Sequence, residues 1–487
     1  MIRTIALLAA ATLAVTAQTR YEPKWESIDK RPTPSWYTDA KFGIFIHWGL
    51  YSVPAYGAVG TYAEWYWNAL AKGPMDKGKP NPTYEFHKKN YGENFPYENF
   101  APMFKAEMYD PAYWAKVFED SGAKYIVLTS KHHEGFTLWP NEQANKAWGR
   151  PWNAVEVGPK RDVLGDLTTE VRKRGLKMGY YYSLYEWYNP LWKQDRKAYA
   201  VQHMHPQFKD LVTKYKPSII FSDGEWDMPS ADWKSEELMA WLFNESPVRD
   251  EVVINDRWGK DSRHKHGGYY TTEYTAGLES NDHPWEESRG MGFSYGYNRA
   301  ENIMDYRSDR EMIMMLIDLV SRGGNLLLDI GPTGDGRIPV IMQERLLQIG
   351  KWLKVNGDAI YGTKPWGDTR QWSTGDRPKL NTGEYMTKYE VTDYIERKKP
   401  GQAVIEAFFT AKGDDVYAIV PGWPAGSKLT LKGVTAPASM KPVMLGRTGD
   451  LKWTKSAGGI TVDLPAASGD AATAQHAYVV KLPGLRR

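Results

Sequence analysis

Asp223 stands directly after the apolar run SIIF and directly before Gly224, so its carboxylate belongs where a strand ends and the backbone can turn sharply. A substrate can approach such a carboxylate closely, and Trp226, three positions on, offers an apolar wall or a ring for a sugar face. An Asp-Gly pair serves as readily to cap a following helix. The segment KHHEGF (131–136) sets a cation, two imidazoles and a carboxylate behind another apolar run. Successive side chains on an extended chain point to opposite faces, so one of His132 and His133 can face a pocket while the other braces its wall. Metal binding is the rival use, although HHE is neither HExxH nor by itself a facial triad. Neutral imidazoles serve equally well to hydrogen-bond hydroxyls. His47 in HWG, with Glu64 and Trp65 in AEWYWN (63–68), adds an imidazole and an acid beside an indole. That pairing suits a sugar, the acid taking hydroxyl protons while the ring covers the apolar face. A buried tryptophan under a surface loop fits the same residues.

A retaining glycosidase needs two carboxyl groups about 5 to 5.5 Å apart, one a nucleophile and one an acid that later serves as base. In HPWEESRG (283–290) the acid candidate is Glu286, because a carboxyl desolvated beside Trp285 has its pKa raised. Glu287 reads as solvated. Arg257, in INDRWG, can clamp a hydroxyl or a neighbouring carboxylate, or form a structural ion pair. HMH (203–205) and RHKH (263–266) read as surface. GGNLLLDIGPTGDG (323–336) lacks the GKS/T ending of a phosphate loop and reads as barrel closure.

The elements that must carry these residues are short apolar runs alternating with stretches of helical spacing. The firm runs are 42–49, 125–131, 177–183, 218–224, 251–257 and 325–331, and 268–275 and 292–298 are weaker. Eight strands with amphipathic segments between them predict an α/β fold, a (β/α)8-like barrel with its chemistry at the C-terminal strand ends. His47, the 131–134 segment, Tyr181 to Ser183, Asp223 and Arg257 all fall at such ends. After residue 366 the pattern turns to short alternating runs between Gly, Pro and Thr turns, which predicts an antiparallel β-sandwich. The expected division is a leader at 1–17, a barrel at 18–366, a linker at 367–387 and a sandwich at 388–487.

The basic start, short apolar stretch and small residues of MIRTIALLAAATLAVTAQ read as a secretory signal, which predicts an exported protein, secreted or periplasmic. No other stretch approaches the ~20 apolar residues that spanning needs, so membrane insertion is not expected. The formal charge of +3 over 487 residues shows no nucleic-acid footprint. Cysteine is absent, which excludes disulfides, thiolate metal sites and a thiol nucleophile.

FGIFIHWGLYSVPAY, EWYWN, AKYIVLTSKHHEGF, GYYYSLYEW, FSDGEW, INDRWG and NLLLDIGPTGDG together resemble the family 29 α-L-fucosidases, in that family's order, over about 36–366. The tail from 404, with FFTAKGDDVYAI, is similar to the family's C-terminal sandwich. The resemblance implies hydrolysis of terminal α-L-fucose from a glycan with retention and without cofactor or metal. It puts the nucleophile on Asp223, fucose ligands on His47, Glu64, His132 and His133, Trp65 beside the sugar, Tyr181 near the nucleophile and Arg257 in the pocket. PWEESRGMGFSYGYN resembles the segment that assigns the acid/base to Glu286, with Tyr295 where tryptophan is usual; Tyr295 is thereby expected near the leaving group. Two other readings compete: an endo-acting hydrolase of a fucose polymer, which needs an open cleft, and a sugar-binding protein on a barrel that has lost catalysis.

Overall fold

The computed structural model describes residues 19–279, 282–380, 385–387, 389–456, 458–465 and 476–487. The expected leader at 1–17 lies outside them. Eight strands form one curled parallel sheet: β1 (Phe42–Ile46), β2 (Tyr125–Lys131), β3 (Lys177–Ser183), β4 (Ile219–Asp223), β5 (Val253–Ile254), β6 (Tyr270–Glu273), β7 (Trp285–Gly290) and β8 (Asn325–Ile330). Their spatial order is β5-β4-β3-β2-β1-β8-β7-β6, and every neighbouring pair is parallel. Near-continuous apolar runs such as YIVL and NLLL suit strands buried on both faces. The last strand pairs with the first, as the reading of 323–336 as barrel closure requires.

Between β5 and β6 no ladder forms among the described residues. The seam is held instead by the Ile254 carbonyl, which accepts from the amides of Gly268 (3.0 Å) and Tyr269 (3.2 Å). The Asp256 carboxylate also accepts from the Thr271 amide (3.2 Å) and hydroxyl (2.7 Å). These bonds bring β6 beside β5, which decides what the pocket contains.

Outside the sheet lie helices that start at recognisable caps. Asp110 caps α1 (Pro111–Asp120), Asp162 caps α2 (Val163–Lys173), and Ser308 with Glu311 forms a capping box on α3 (Asp309–Ser321). No helix of the described residues is long and apolar enough to cross a membrane.

Two expectations about elements need correction. GFSYGYN (292–298) is a loop, and the seventh strand is β7, Trp285–Gly290. Its acidic and basic residues are buried and partnered: Glu287 takes bonds from Thr272, Thr275 and Arg289, so a polar run forms a core strand. A search for apolar runs passes over such a strand. The linker expected from 367 is likewise a strand in its first part. β9 (Lys364–Trp372) pairs antiparallel with β10 (Ile405–Lys412), and its exposed polar residues and register shift mark it as a sheet edge. Residues 381–384 of that linker lie outside the described residues.

The C-terminal part contains two antiparallel sheets. The larger holds β9, β10, β11 (Asp415–Val420), Tyr478–Pro483 and Val443–Met444, and the smaller holds Lys428–Lys432, Gly459–Asp463 and Trp453–Ser456. Phe409, Ala418 and Val480 from the first pack with Leu431, Ile460 and Val462 from the second, forming the expected sandwich core. Arg370 of β9 bonds Asp318 of α3 at 2.6 Å, which ties the sandwich to the barrel through a buried ion pair.

Candidate active site

The residues at the C-terminal strand ends line one cavity of about 360 Å³, including His47, Glu64, Trp65, His132, Tyr181, Asp223, Arg257, Glu273 and Tyr295. Asp223 ends β4 at its floor. The next helix begins only at Ser230, so the carboxylate caps none. Gly224 adopts φ +75°, and a Cβ there would stand 2.4 Å from the Tyr185 ring, so the turn behind Asp223 requires glycine.

Asp223 Oδ1 accepts from Arg257 Nη1 at 2.8 Å and Oδ2 from the Tyr181 hydroxyl at 2.9 Å. Burial, the largest single influence, pushes the Asp223 carboxyl up, but the Arg257 guanidinium, with Arg263 and the Tyr181 hydroxyl, holds the group below its ordinary value. The same guanidinium donates from Nη2 to Glu273 Oε2 at 3.2 Å and from Nε to the Thr271 hydroxyl at 3.0 Å. Tyr62 donates to the other Glu273 oxygen at 2.9 Å. Asp223 and Glu273 are therefore two carboxyl groups clamped by one planar cation inside one pocket.

Glu286 is elsewhere. It is the second residue of β7, in register with Asn325 at the start of β8, and it accepts bonds from Tyr37 (3.1 Å) and from Tyr125, the first residue of β2. These are N-terminal strand positions, so Glu286 lies at the opposite end of the barrel and does not line the cavity. Its pKa is pushed up to about 7 by burial, as a general acid's would be, but away from the pocket. The desolvation expected of Glu286 is present, but it comes from burial at the start of β7 and not from a place in the pocket.

His132 lines the cavity, whereas His133 stands behind Asp223, its Nε2 3.5 Å from Oδ2 and its Nδ1 2.6 Å from the Ser183 hydroxyl. Burial lowers all three imidazoles, His47, His132 and His133, well below their ordinary value, so they are neutral. His47 Nδ1 is 2.6 Å from Asp329 Oδ1, and its ring stacks on Tyr295 with centroids 4.8 Å apart. The Tyr295 hydroxyl reaches the Ser288 hydroxyl at 3.0 Å. Glu64 accepts from the Gly296 amide at 2.8 Å and the Ser294 hydroxyl at 3.2 Å, and burial raises it to about 8. A protonated Glu64 can both donate to and accept from a sugar hydroxyl. Trp65 stacks with Trp226 at 6.0 Å, giving an aromatic wall.

Glu273 and Arg263 were missed by sequence reasoning. Glu273 lies within the weak run GYYTTEYT, two residues before its end, and it is the observed strand β6 that puts it at a strand end. Arg263 belongs to RHKH, read as surface, yet it lines the cavity and bonds Glu225 at 2.9 Å. His203 of HMH is also no surface residue: it is buried against Glu186 at 2.9 Å, which in turn holds Lys131 at 2.6 Å.

The family model described as Alpha-L-fucosidase matches residues 8–358, and that described as Alpha-L-fucosidase C-terminal domain matches 403–483. The chain is 42% identical to tissue alpha-L-fucosidase of Homo sapiens over 477 residues, covering 96% of this chain and 92% of the relative. It is 42% identical to an alpha-L-fucosidase of Branchiostoma floridae over 490 residues, 98% and 99% of the two chains. The fold matches the crystal structure of Thermotoga maritima alpha-fucosidase in complex with a mechanism based inhibitor, with a TM-score of 0.76, 34% identity and coverage of 95% and 100%. With a two-carboxylate pocket at the strand ends and full-length similarity of this order, the chain is a glycoside hydrolase and belongs to the α-L-fucosidase family.

Proposed function

We propose that this α-L-fucosidase removes terminal α-L-fucose from glycans with net retention, through a covalent fucosyl ester on Asp223, with Glu273 as acid and then base. The observation that carries this is the Arg257 clamp, which binds Asp223 at 2.8 Å and Glu273 at 3.2 Å through adjacent nitrogens. Retaining enzymes hold their two carboxyl groups closer together, about 5 Å apart, than inverting ones, and two carboxyl groups sharing one guanidinium favour the closer arrangement. Asp223 is kept ionised, as a nucleophile must be.

In the first step an Asp223 oxygen bonds to the anomeric carbon as the glycosidic C–O bond breaks, and Glu273 gives its proton to the departing oxygen. In the second, Glu273 takes a proton from water, the water oxygen attacks the same carbon, and the ester bond breaks to return the Asp223 carboxylate. The neutral imidazoles of His47 and His132 and the protonated Glu64 meet the sugar hydroxyls, and Trp65 covers an apolar face. A cavity of about 360 Å³ suits one terminal sugar and so favours exo over endo action. The leader-like first residues favour export, which N-terminal sequencing of protein recovered outside the cytoplasm would test.

Asp223→Gly should lower turnover of an aryl α-L-fucoside by about 10³-fold or more, with azide restoring turnover and giving the β-fucosyl azide. The wild-type enzyme should release α-L-fucose first, as NMR of the earliest product reads. Near-normal activity in the variant, or β-L-fucose as first product, refutes the assignment.

A further inference from the structure

We propose that Tyr385, which lies beyond the barrel, is the platform for the saccharide on the leaving-group side of the scissile bond. It makes the chain after β9 a determinant of which fucosides are cleaved. The inference rests on the assignment of Asp223 and Glu273 above.

Tyr385 to Thr387 are docked against the strand end that carries Glu273. Tyr385 bridges Glu273 in parallel register, the Met386 amide donates to the Glu273 carbonyl at 2.9 Å, and the Thr387 amide donates to the Tyr274 carbonyl at 3.1 Å. The Met386 side chain packs on the barrel's inner cluster of Phe45, Tyr181 and Phe221. At this crossing both backbones are strained: Tyr274 has φ +52° and Met386 φ +48°, conformations that non-glycine residues rarely hold without a compensating role. The strained turn is thus fixed in place, and what it presents is the Tyr385 ring.

That ring lines the cavity and is still 51% exposed. A large aromatic group anchored through its backbone yet left half uncovered at a sugar pocket is a surface waiting for a partner with an apolar face. Its position identifies that partner. The Tyr385 hydroxyl is 3.5 Å from that of Tyr62, which donates to Glu273, so Tyr385 belongs to the side of the pocket that protonates the departing oxygen. The other exposed ring of the rim, Trp226, belongs to the nucleophile's side, stacked on Trp65 and 5.6 Å from His133. A leaving sugar therefore departs past Tyr385, where its apolar C–H face can lie on the ring.

The test compares two substrates in the full-length protein. A fucosylated disaccharide has a leaving group long enough to reach Tyr385, whereas α-L-fucosyl fluoride has none. Tyr385→Ala should lower kcat/KM about tenfold on the disaccharide and less than threefold on the fluoride, and Tyr385→Phe should stay within threefold of wild type on both. A disaccharide rate that survives in Tyr385→Ala, an equal loss on both substrates, or a Tyr385→Phe defect as large as that of alanine overturns the platform. Failure of the underlying enzyme assignment looks different: unsubstituted protein would leave the fluoride intact, whereas failure of the platform alone erases only the difference between the substrates.

Discussion

Replacing Arg257 by methionine keeps much of the volume and removes the only cation bonded to both pocket carboxyl groups among the described contacts. In the native pocket burial raises the Asp223 carboxyl, and Arg257 at 2.8 Å, helped by Arg263 and the Tyr181 hydroxyl, reverses this and leaves the group below its ordinary value. Loss of an opposite charge at contact distance raises a carboxyl by about 1 to 3 pH units, each worth about 1.4 kcal/mol. The repulsion between Asp223 and Glu273, no longer offset, acts in the same direction. The acid limb of kcat/KM on an aryl fucoside should accordingly move up by about 1 to 3 units. Stability follows with a definite sign. A depressed carboxyl contributes stability above its unfolded pKa of about 3.9, and that contribution is lost as pH falls through the folded value. Arg257→Met forfeits it at pH 7, where an unpaired buried carboxylate costs about 3 to 5 kcal/mol. The difference in Tm from wild type should be largest near pH 7 and shrink toward pH 4, where the variant's Asp223 is neutral. An unchanged acid limb with an unchanged Tm at pH 7 would show that the guanidinium does not set the charge state of Asp223.

The two glutamates separate cleanly in one further comparison. Glu273→Gln should lower kcat/KM on a fucoside with a poor leaving group by about 10² or more, and far less on one with a good leaving group, while Glu286→Gln should stay within threefold on both. Glu286→Gln should instead change the pH dependence of melting: the raised Glu286 pKa makes the wild type lose stability as pH rises from about 4.5 to about 7, and the neutral amide should not. Equal activity losses at 273 and 286 would refute the placement. Glu64→Gln keeps a neutral donor, so at pH 6 its KM should lie within a few-fold of wild type, and its activity should persist above pH 8, where Glu64 at about 8 ionises. An alkaline limb identical to that of wild type would show that Glu64 does not carry a proton to the sugar.

Most of the barrel was legible because parallel strands buried on both faces must be written as apolar runs, and FGIFI, YIVL, SIIF and NLLL are such runs. The strand-end rule then collected His47, His132, Asp223 and Arg257 onto one face. Illegibility came first from the burial of polar residues by pairing. WEESRG forms a core strand because Glu287 is satisfied by Arg289 on its own strand and by Thr272 and Thr275, 15 and 12 residues away and outside any local pattern. Glu286 as the acid follows from its neighbour Trp285 and from the family resemblance, and neither reports that it stands at the start of a strand, away from the pocket. His203 was misplaced through burial by pairing, since its partner Glu186 lies 17 residues back. The strand β9 hid behind polar, half-exposed edge residues.

The electrostatics of the pocket explain why so many of its polar groups are buried at all. A glycosidase transition state carries positive charge near the anomeric carbon, so a cationic imidazole beside it would oppose the reaction. Burial solves this by holding His47, His132 and His133 neutral, and it keeps Glu64 protonated so that the sugar meets no second carboxylate there. Asp223 escapes the same fate because Arg257, together with Arg263 and the Tyr181 hydroxyl, stands against it. One environment thus sets opposite charge states for two carboxyl groups in a single cavity: Glu64, bonded by the Gly296 amide and the Ser294 hydroxyl, is raised to about 8, while Asp223, bonded by Arg257 and Tyr181, is held below its ordinary value. Arg257 thus acts on the charge of Asp223 itself, and is more than a residue that holds the sugar.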